Sequence, residues 1–359
     1  MSRSKWAILL TFVLSIASGA VLVEYFTHYV MPMSIVVPDD YPTIQAAIGN
    51  ATPGSTIHVR NGNYNELLLI DKPLNLTGEN AENTAIKGLS GQGSSFRTIA
   101  IQSSNVLISN CKITGSSYGI ALTDNCTNCK ITNNNIQGYT TSVAINGENN
   151  VVTKNSISES WLTGISCYGN NCLISDNTIE NCESGIIVNG NNVTIENNII
   201  INGKIDTADY YCGGVVLSSG GSCKVYGNTL QNLKTGILYK GASHSQVYNN
   251  NITQNQVGVD LSNYQFFETS GGTDNIVFNN NVIDNQKQVI VETTTPGKFT
   301  SNGTDTISWD NGIVGNYWSD FQDRYPNATQ NNNTDTYNTP YIIDTKNRDN
   351  HPVIKAIKT

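Results

Sequence analysis

The chain has 359 residues, with 20 Lys+Arg against 28 Asp+Glu and a formal charge of −8; this excludes the basic surface that nucleic-acid binding needs. Only 13% of residues are charged, and polarity comes instead from amides, 50 of them asparagine. A hydrophobic content of 38% is enough for a core and excludes wholesale disorder.

At the N-terminus, Arg3 and Lys5 precede an uncharged run from Trp6 to Val23. The run fits either a secretory signal, with Ala17-Ser18-Gly19-Ala20 as a cleavage site, or a short membrane anchor held by its basic flank. Both readings export the remainder to the cell surface or beyond and set residues 1–33 apart. Residues 34–104 then read as an N-terminal cap and first coils. Thr43 opens a short helix after Pro42, with Ile44, Ala47 and Ile48 on one face, as a lid on an open solenoid end. Pro53-Gly54-Ser55-Thr56-Ile57 and Gly62-Asn63-Tyr64-Asn65-Glu66 follow as the first turns and strands.

Residues 105–300 repeat. Asn-x-Ile/Leu/Val recurs at Asn134-Asn135-Ile136, Asn155-Ser156-Ile157, Asn177-Thr178-Ile179, Asn197-Asn198-Ile199, Asn228-Thr229-Leu230, Asn250-Asn251-Ile252 and Asn280-Asn281-Val282, a period near 22 residues with two longer laps. Two short strands flank each motif, one such as Val106-Leu107-Ile108 before it and one opened by glycine, such as Gly185-Ile186, after it. Four-residue strands with period-2 alternation, split by Asn and Gly turns, exclude helical repeats and stack into a parallel β-helix. The asparagine two before each apolar anchor is expected both to take the left-handed turn and to bond its counterpart on the next coil. Four of the eight cysteines, Cys129, Cys167, Cys172 and Cys223, fall in columns with Val, Ile and Leu, as small buried hydrophobes. Cys182 with Cys212 is the best candidate for a disulfide between coils, and Cys126-x-x-Cys129 lacks the second pair that zinc needs.

Two coils carry insertions, one with Asp206, Asp209, Tyr210 and Tyr211, the other with Tyr264, Phe266, Phe267 and Glu268. Aromatic rings with carboxylates on loops of a rigid scaffold suit stacking on sugars and hydrogen bonding to them, so these residues are ligand-binding candidates; pinning each loop to the coil wall is the plainer alternative. Residues 301–359 form a C-terminal capping segment containing Gly315-Asn316-Tyr317-Trp318-Ser319-Asp320, Thr339-Pro340-Tyr341-Ile342-Ile343-Asp344 and Asp349-Asn350-His351-Pro352.

The lid, the Pro-Gly-Ser-Thr-Ile and Gly-Asn-Tyr-Asn-Glu series and this terminal segment resemble NosD-like, pectate-lyase-like β-helix surface proteins of archaeal type, which carry carbohydrate-binding and sugar-hydrolase repeats. The resemblance implies a right-handed helix and a polysaccharide or cell-surface glycan as partner. The terminal segment departs from the family pattern: Asn331-Asn332-Asn333-Thr334-Asp335 stands where an Asp-Gly-x-Gly-Asp run is usual, which weakens a calcium role and leaves no cofactor expected. Copper, associated with the NosD name, would need clustered His, Met or thiolate, whereas His28, His58, His244 and His351 are scattered. No arginine lies between residues 98 and 323, which disfavours a lyase resembling the pectate enzymes. Asp176 and Glu196, read as one column in adjacent coils, are the catalytic candidates for a glycoside hydrolase. The expected protein is thus an exported all-β right-handed parallel β-helix that binds carbohydrate or serves the envelope. A polysaccharide-cleaving enzyme and a structural spacer are the alternatives.

Overall fold

A computed structural model describes residues 31–88, 96–115, 117–204, 212–261, 272–291, 307–332 and 334–358. Among them the chain winds as a parallel β-helix with three sheets. The first has 12 strands, from Ser34–Val37 to Ile307–Ser308; the second has 11, from Gly62–Tyr64 to Tyr317–Trp318; the third has 10, from Leu68–Ile70 to Lys287–Ile290. One lap lays down a strand in each sheet, as in Leu107–Ser109, Lys112–Thr114 and Tyr118–Leu122. The sequence pattern led us to expect two strands per lap. The third is the Asn-x-Ile motif itself, which reads as a turn but continues into a strand after its asparagine.

Register follows the apolar residues. Ile136, Ile157 and Ile179 align in the second sheet, as do Ile120, Val143 and Ile165 in the third, all essentially inaccessible to solvent. Each such side chain contributes about 1.5–3 kcal/mol by leaving water. One motif shifts: Ile179 pairs with Ile200, not Ile199, so the fourth repeat reads Asn198-Ile199-Ile200 and Ile199 is 45% exposed. The glycines that open third-sheet strands are steric necessities: a Cβ on Gly185 would lie 2.5 Å from both the Gly214 carbonyl oxygen and Ile200 Cγ2.

The corner between first and second sheets divides between two residues the work expected of one asparagine. The left-handed residue comes first (Asn133, Lys154, Asp176 and Asn197, with φ between 53° and 58°), and the ladder residue follows it. Asn134, Asn155, Asn177, Asn198, Asn228, Asn250, Asn280 and Asn316 are buried, each Nδ2 donating to the Oδ1 of the next at 2.9–3.1 Å. Every Oδ1 after the first also accepts the preceding asparagine's backbone N–H, as in Asn155 N to Asn177 Oδ1 at 3.0 Å. Polar groups inside an apolar tube are thereby paired.

The lid is the helix Ile44–Asn50, with Ile44, Ala47 and Ile48 buried. Thr43 Oγ1 accepts from Ala46 N at 3.1 Å, and the Glu66 carboxylate accepts from Ile44 N and Gln45 N at 3.0 and 2.9 Å. At the far end Trp318 stacks on Tyr341 with centroids 4.2 Å apart, under an antiparallel pair of Tyr341–Ile342 and Arg348–Asp349. The buried Asp349 carboxylate ties this cap to the last coil, accepting from Asn316 N at 2.6 Å, Trp318 Nε1 at 2.9 Å and His351 N at 2.9 Å.

The cysteines are buried thiols, as their columns suggest. The Cys182–Cys212 disulfide is not formed: Cys182 Sγ lies 3.4 Å from the Glu180 carbonyl, and Cys212 Sγ lies 3.3 Å from Glu183 Oε1. The Cys212 thiol reaches the preceding coil but meets the carboxylate of Glu183, the neighbour of Cys182, while the Cys182 thiol turns to its own chain at Glu180.

Candidate functional site

The third sheet presents its outer face through one side-chain column, Ala100, Ala121, Ala144, Ser166, Ile187, Val216 and Leu238, one residue per coil. The four small members leave a trough. Arg97 and Tyr118 rise on one side at the starts of their strands; Asn146, Tyr168 and Asn189 rise on the other, just past the strand ends. These rim residues, with Ala121, Ala144, Ser166 and Ile187 of the column as floor, line an open groove of about 390 Å³. Tyr168 is 59% exposed, and Trp161, the neighbour of groove-lining Leu162, is 68% exposed. Large aromatic surface left in water beside a polar trough is the usual dress of a binding site. Arg97 is the one charged residue in the lining, and no carboxylate is among the lining residues.

A second cavity of about 470 Å³ lies under the C-terminal cap, bounded by Asp284, Lys287, Asp320, Asp323, Arg324 and Tyr341 among others. Its one aromatic wall is spoken for: Tyr341 stacks on Trp318, and the Arg324 guanidinium lies 4.3 Å from its centroid. Its phenol donates to Asp320 at 3.0 Å, and burial, with Asp320 adding to it, pushes its proton affinity far up. This cavity belongs to the scaffolding of the cap.

The residues singled out in the sequence fall elsewhere. Glu196 pairs in register with Ser175, so Asp176 stands one position on, beside Asn197, not in the Glu196 column. Both belong to the first sheet and its corner, away from the groove lining. Asp176 takes the left-handed turn, φ 53°, and its Oδ2 lies 3.5 Å from Thr153 Oγ1. Glu196 accepts a short hydrogen bond from the Tyr226 phenol, which raises that phenol to about 12, with burial assisting. Tyr226, Tyr248 and Phe278 then stack at 5.0 and 5.3 Å, consuming each other's ring faces. Asp206, Asp209, Tyr210, Tyr211, Tyr264, Phe266, Phe267 and Glu268 lie outside the described residues. Their segments, 205–211 and 262–271, respectively precede the third-sheet strand Val215–Leu217 and follow Val257–Asp260.

Sequence reasoning missed Arg97, Tyr118, Trp161 and Tyr168. The available signal was the column of small residues one place past the inward Ile or Val of each Gly-Ile strand, which only a three-sheet register exposes.

The thiols and imidazoles that copper would need are already engaged with other partners. Cys126 Sγ lies 3.1 Å from the Ile101 carbonyl and Cys129 Sγ 3.3 Å from that of Ser103, while His351 Nδ1 faces Asp310 at 3.1 Å and His244 faces Asp274 at 3.4 Å. Among the described residues no three His, Cys, Asp or Glu side chains converge on one point, so these side chains offer no clustered donor set for copper.

Two family models match the chain: one described as periplasmic copper-binding protein (NosD), over residues 168–323, and one described as right handed beta helix region, over residues 75–230. No curated protein matches it. Among solved structures, DFA-IIIase from Arthrobacter chlorophenolicus A6 in complex with GF2 is 13% identical over 69% of this chain and 79% of its own, with a TM-score of 0.55. The mannuronan C-5 epimerase A-module of Azotobacter vinelandii is 16% identical over 69% of this chain and 74% of its own, TM-score 0.50. The Dettilon tailspike protein is 17% identical over 77% and 68%, TM-score 0.51. These likenesses carry the fold, a right-handed parallel β-helix, and bear out the resemblance to NosD-like and pectate-lyase-like proteins; the family models match the repeats, not the two chain ends, and archaeal type has no support among them.

Proposed function

We propose that this chain is an exported glycan-binding protein that lays a saccharide along the groove on the outer face of its third sheet. One observation carries the reading: a trough floored by Ala121, Ala144 and Ser166 and rimmed by exposed Tyr168 and Arg97 and half-buried Tyr118 offers ring faces, hydroxyls and amides, but no carboxylate pair. Such a surface stacks on sugar rings and hydrogen-bonds to them without the acid and base that glycoside cleavage requires. Export rests on the basic-flanked uncharged run before residue 24 and on similarity to a family described as periplasmic.

The test is a glycan array probed with the full-length protein and with the Tyr118→Ala, Trp161→Ala, Tyr168→Ala triple variant. Binding that drops at least tenfold in the variant, with unchanged circular dichroism, supports the groove; binding that survives moves the site elsewhere, the insertion loops first. The rival, a hydrolase using Asp176 and Glu196, requires new reducing ends from a polysaccharide panel and their loss in Glu196→Gln.

A further inference from the structure

The groove has two unlike ends. Beyond Ser166 its floor rises to Ile187, and the same outward column continues as Val216 and Leu238, which are 0% and 3% exposed although they project from the outer face of the sheet. A chain of rings lying in the trough meets branched side chains there, and beyond Ile187 only Ser218, on the rim just past Val215–Leu217, still lines the groove. Toward the N-terminal end the face stays uncovered: Arg97 is exposed, and Leu69, further along the same column, is 42% exposed.

Resting on the reading of this groove as a glycan site, we propose that it receives the end of a saccharide chain and not an internal stretch. The terminal ring seats against Ile187, and the rest of the chain leaves past Arg97. The floor from Ala100 to Ser166 spans four coils, ~14 Å at ~4.8 Å per coil. That coil advance is close to the advance per ring of an extended pyranose chain, so about four rings fill the groove and further rings project into solvent. Asn189 lines the closed end, placing an amide where a terminal ring carries the hydroxyl that internal rings have spent on a linkage.

Size-fractionated linear fragments of mannuronan, polygalacturonan, inulin and chitin, together with each parent polymer, test this by calorimetric titration of the full-length protein. Affinity is expected to rise with fragment length up to about four rings and then level off, and each polymer chain to bind one protein however long it is. Ala144→Leu, which blocks the middle of the trough, is expected to lower affinity at least tenfold; Ile187→Ala, which lengthens the floor by one coil, is expected to move the plateau one ring further. Protein bound in proportion to polymer length overturns end-binding while leaving glycan binding intact. If no fragment or polymer binds, the groove reading and this inference fall together.

Discussion

The side chain of Gln45 imitates a missing strand. Its Nε2 donates to the Leu69 carbonyl at 3.3 Å and its Oε1 accepts the Leu69 N–H at 2.8 Å, so one amide closes both bonding groups of the residue at the start of the third sheet. An open strand edge is a template for another chain, and here the lid carries the plug.

Gln45→Ala removes both bonds at a site water still reaches. The expected loss is therefore small, about 0.5–1.5 kcal/mol, but the uncovered edge should self-associate. A modest fall in denaturant midpoint with a concentration-dependent rise in mass by light scattering is the predicted pair; a variant that stays monomeric at high concentration shows that Gln45 guards nothing.

The two-residue corner separates backbone strain from ladder chemistry. Asn198→Ala strips donors from the Ile174 and Glu196 carbonyls and an acceptor from Asn177, so a loss of about 2–4 kcal/mol is expected. Its neighbour Asn197, at φ 55°, makes no such demand: Asn197→Ala should lose about 1 kcal/mol and Asn197→Gly almost nothing. Equal losses at both positions in urea melts contradict the division.

Burial raises the Asp349 carboxyl to about 7 despite the donors from Asn316, Trp318 and His351 that pull it down. In the unfolded chain it titrates near 3.8, so the folded state holds the extra proton between those values. Its stabilising contribution is complete below the lower value and is lost as pH rises through the upper one. Thermal melts followed by tryptophan fluorescence should show a firmer cap at pH 5 than at pH 8, and Asp349→Asn should flatten the difference; an unchanged slope in that variant assigns the effect to another group.

Burial likewise pushes the Cys129 thiol up to about 11 and Cys111 up to about 12. At those two sites thiolate, the reactive form, is scarce at neutral pH, and all eight thiols are buried in the wall. A disulfide-exchange dye should react slowly with native protein and fully with denatured protein. Rapid reaction at pH 7.5 without unfolding would falsify the sealed-wall picture.

The solenoid, its lid and its asparagine file were legible because each repeats a local rule many times. Thr43 with Ile44, Ala47 and Ile48 is a self-contained helix signal, and Ile136, Ile157 and Ile179 announce a column. The frame slipped at Asn197-Asn198, where doubled asparagines let the motif be read one place early, and that slip moved Glu196 into the wrong column beside Asp176. The groove was not legible, since Ala121, Ala144 and Ser166 carry no chemistry of their own. They matter for the space they leave between Tyr118 and Tyr168, and space appears only when laps are stacked.

Because Asn155 and Asn177 present the same donor to the lap that follows and the same acceptor to the lap that precedes, the lap between them is a removable brick. Excising residues 155–176 would bring Asn134 directly onto Asn177 with every bond of the file remade. Lineages carrying such a scaffold can gain or shed height by unequal recombination without redesigning the interior, and the reach of the groove would change in whole steps with it.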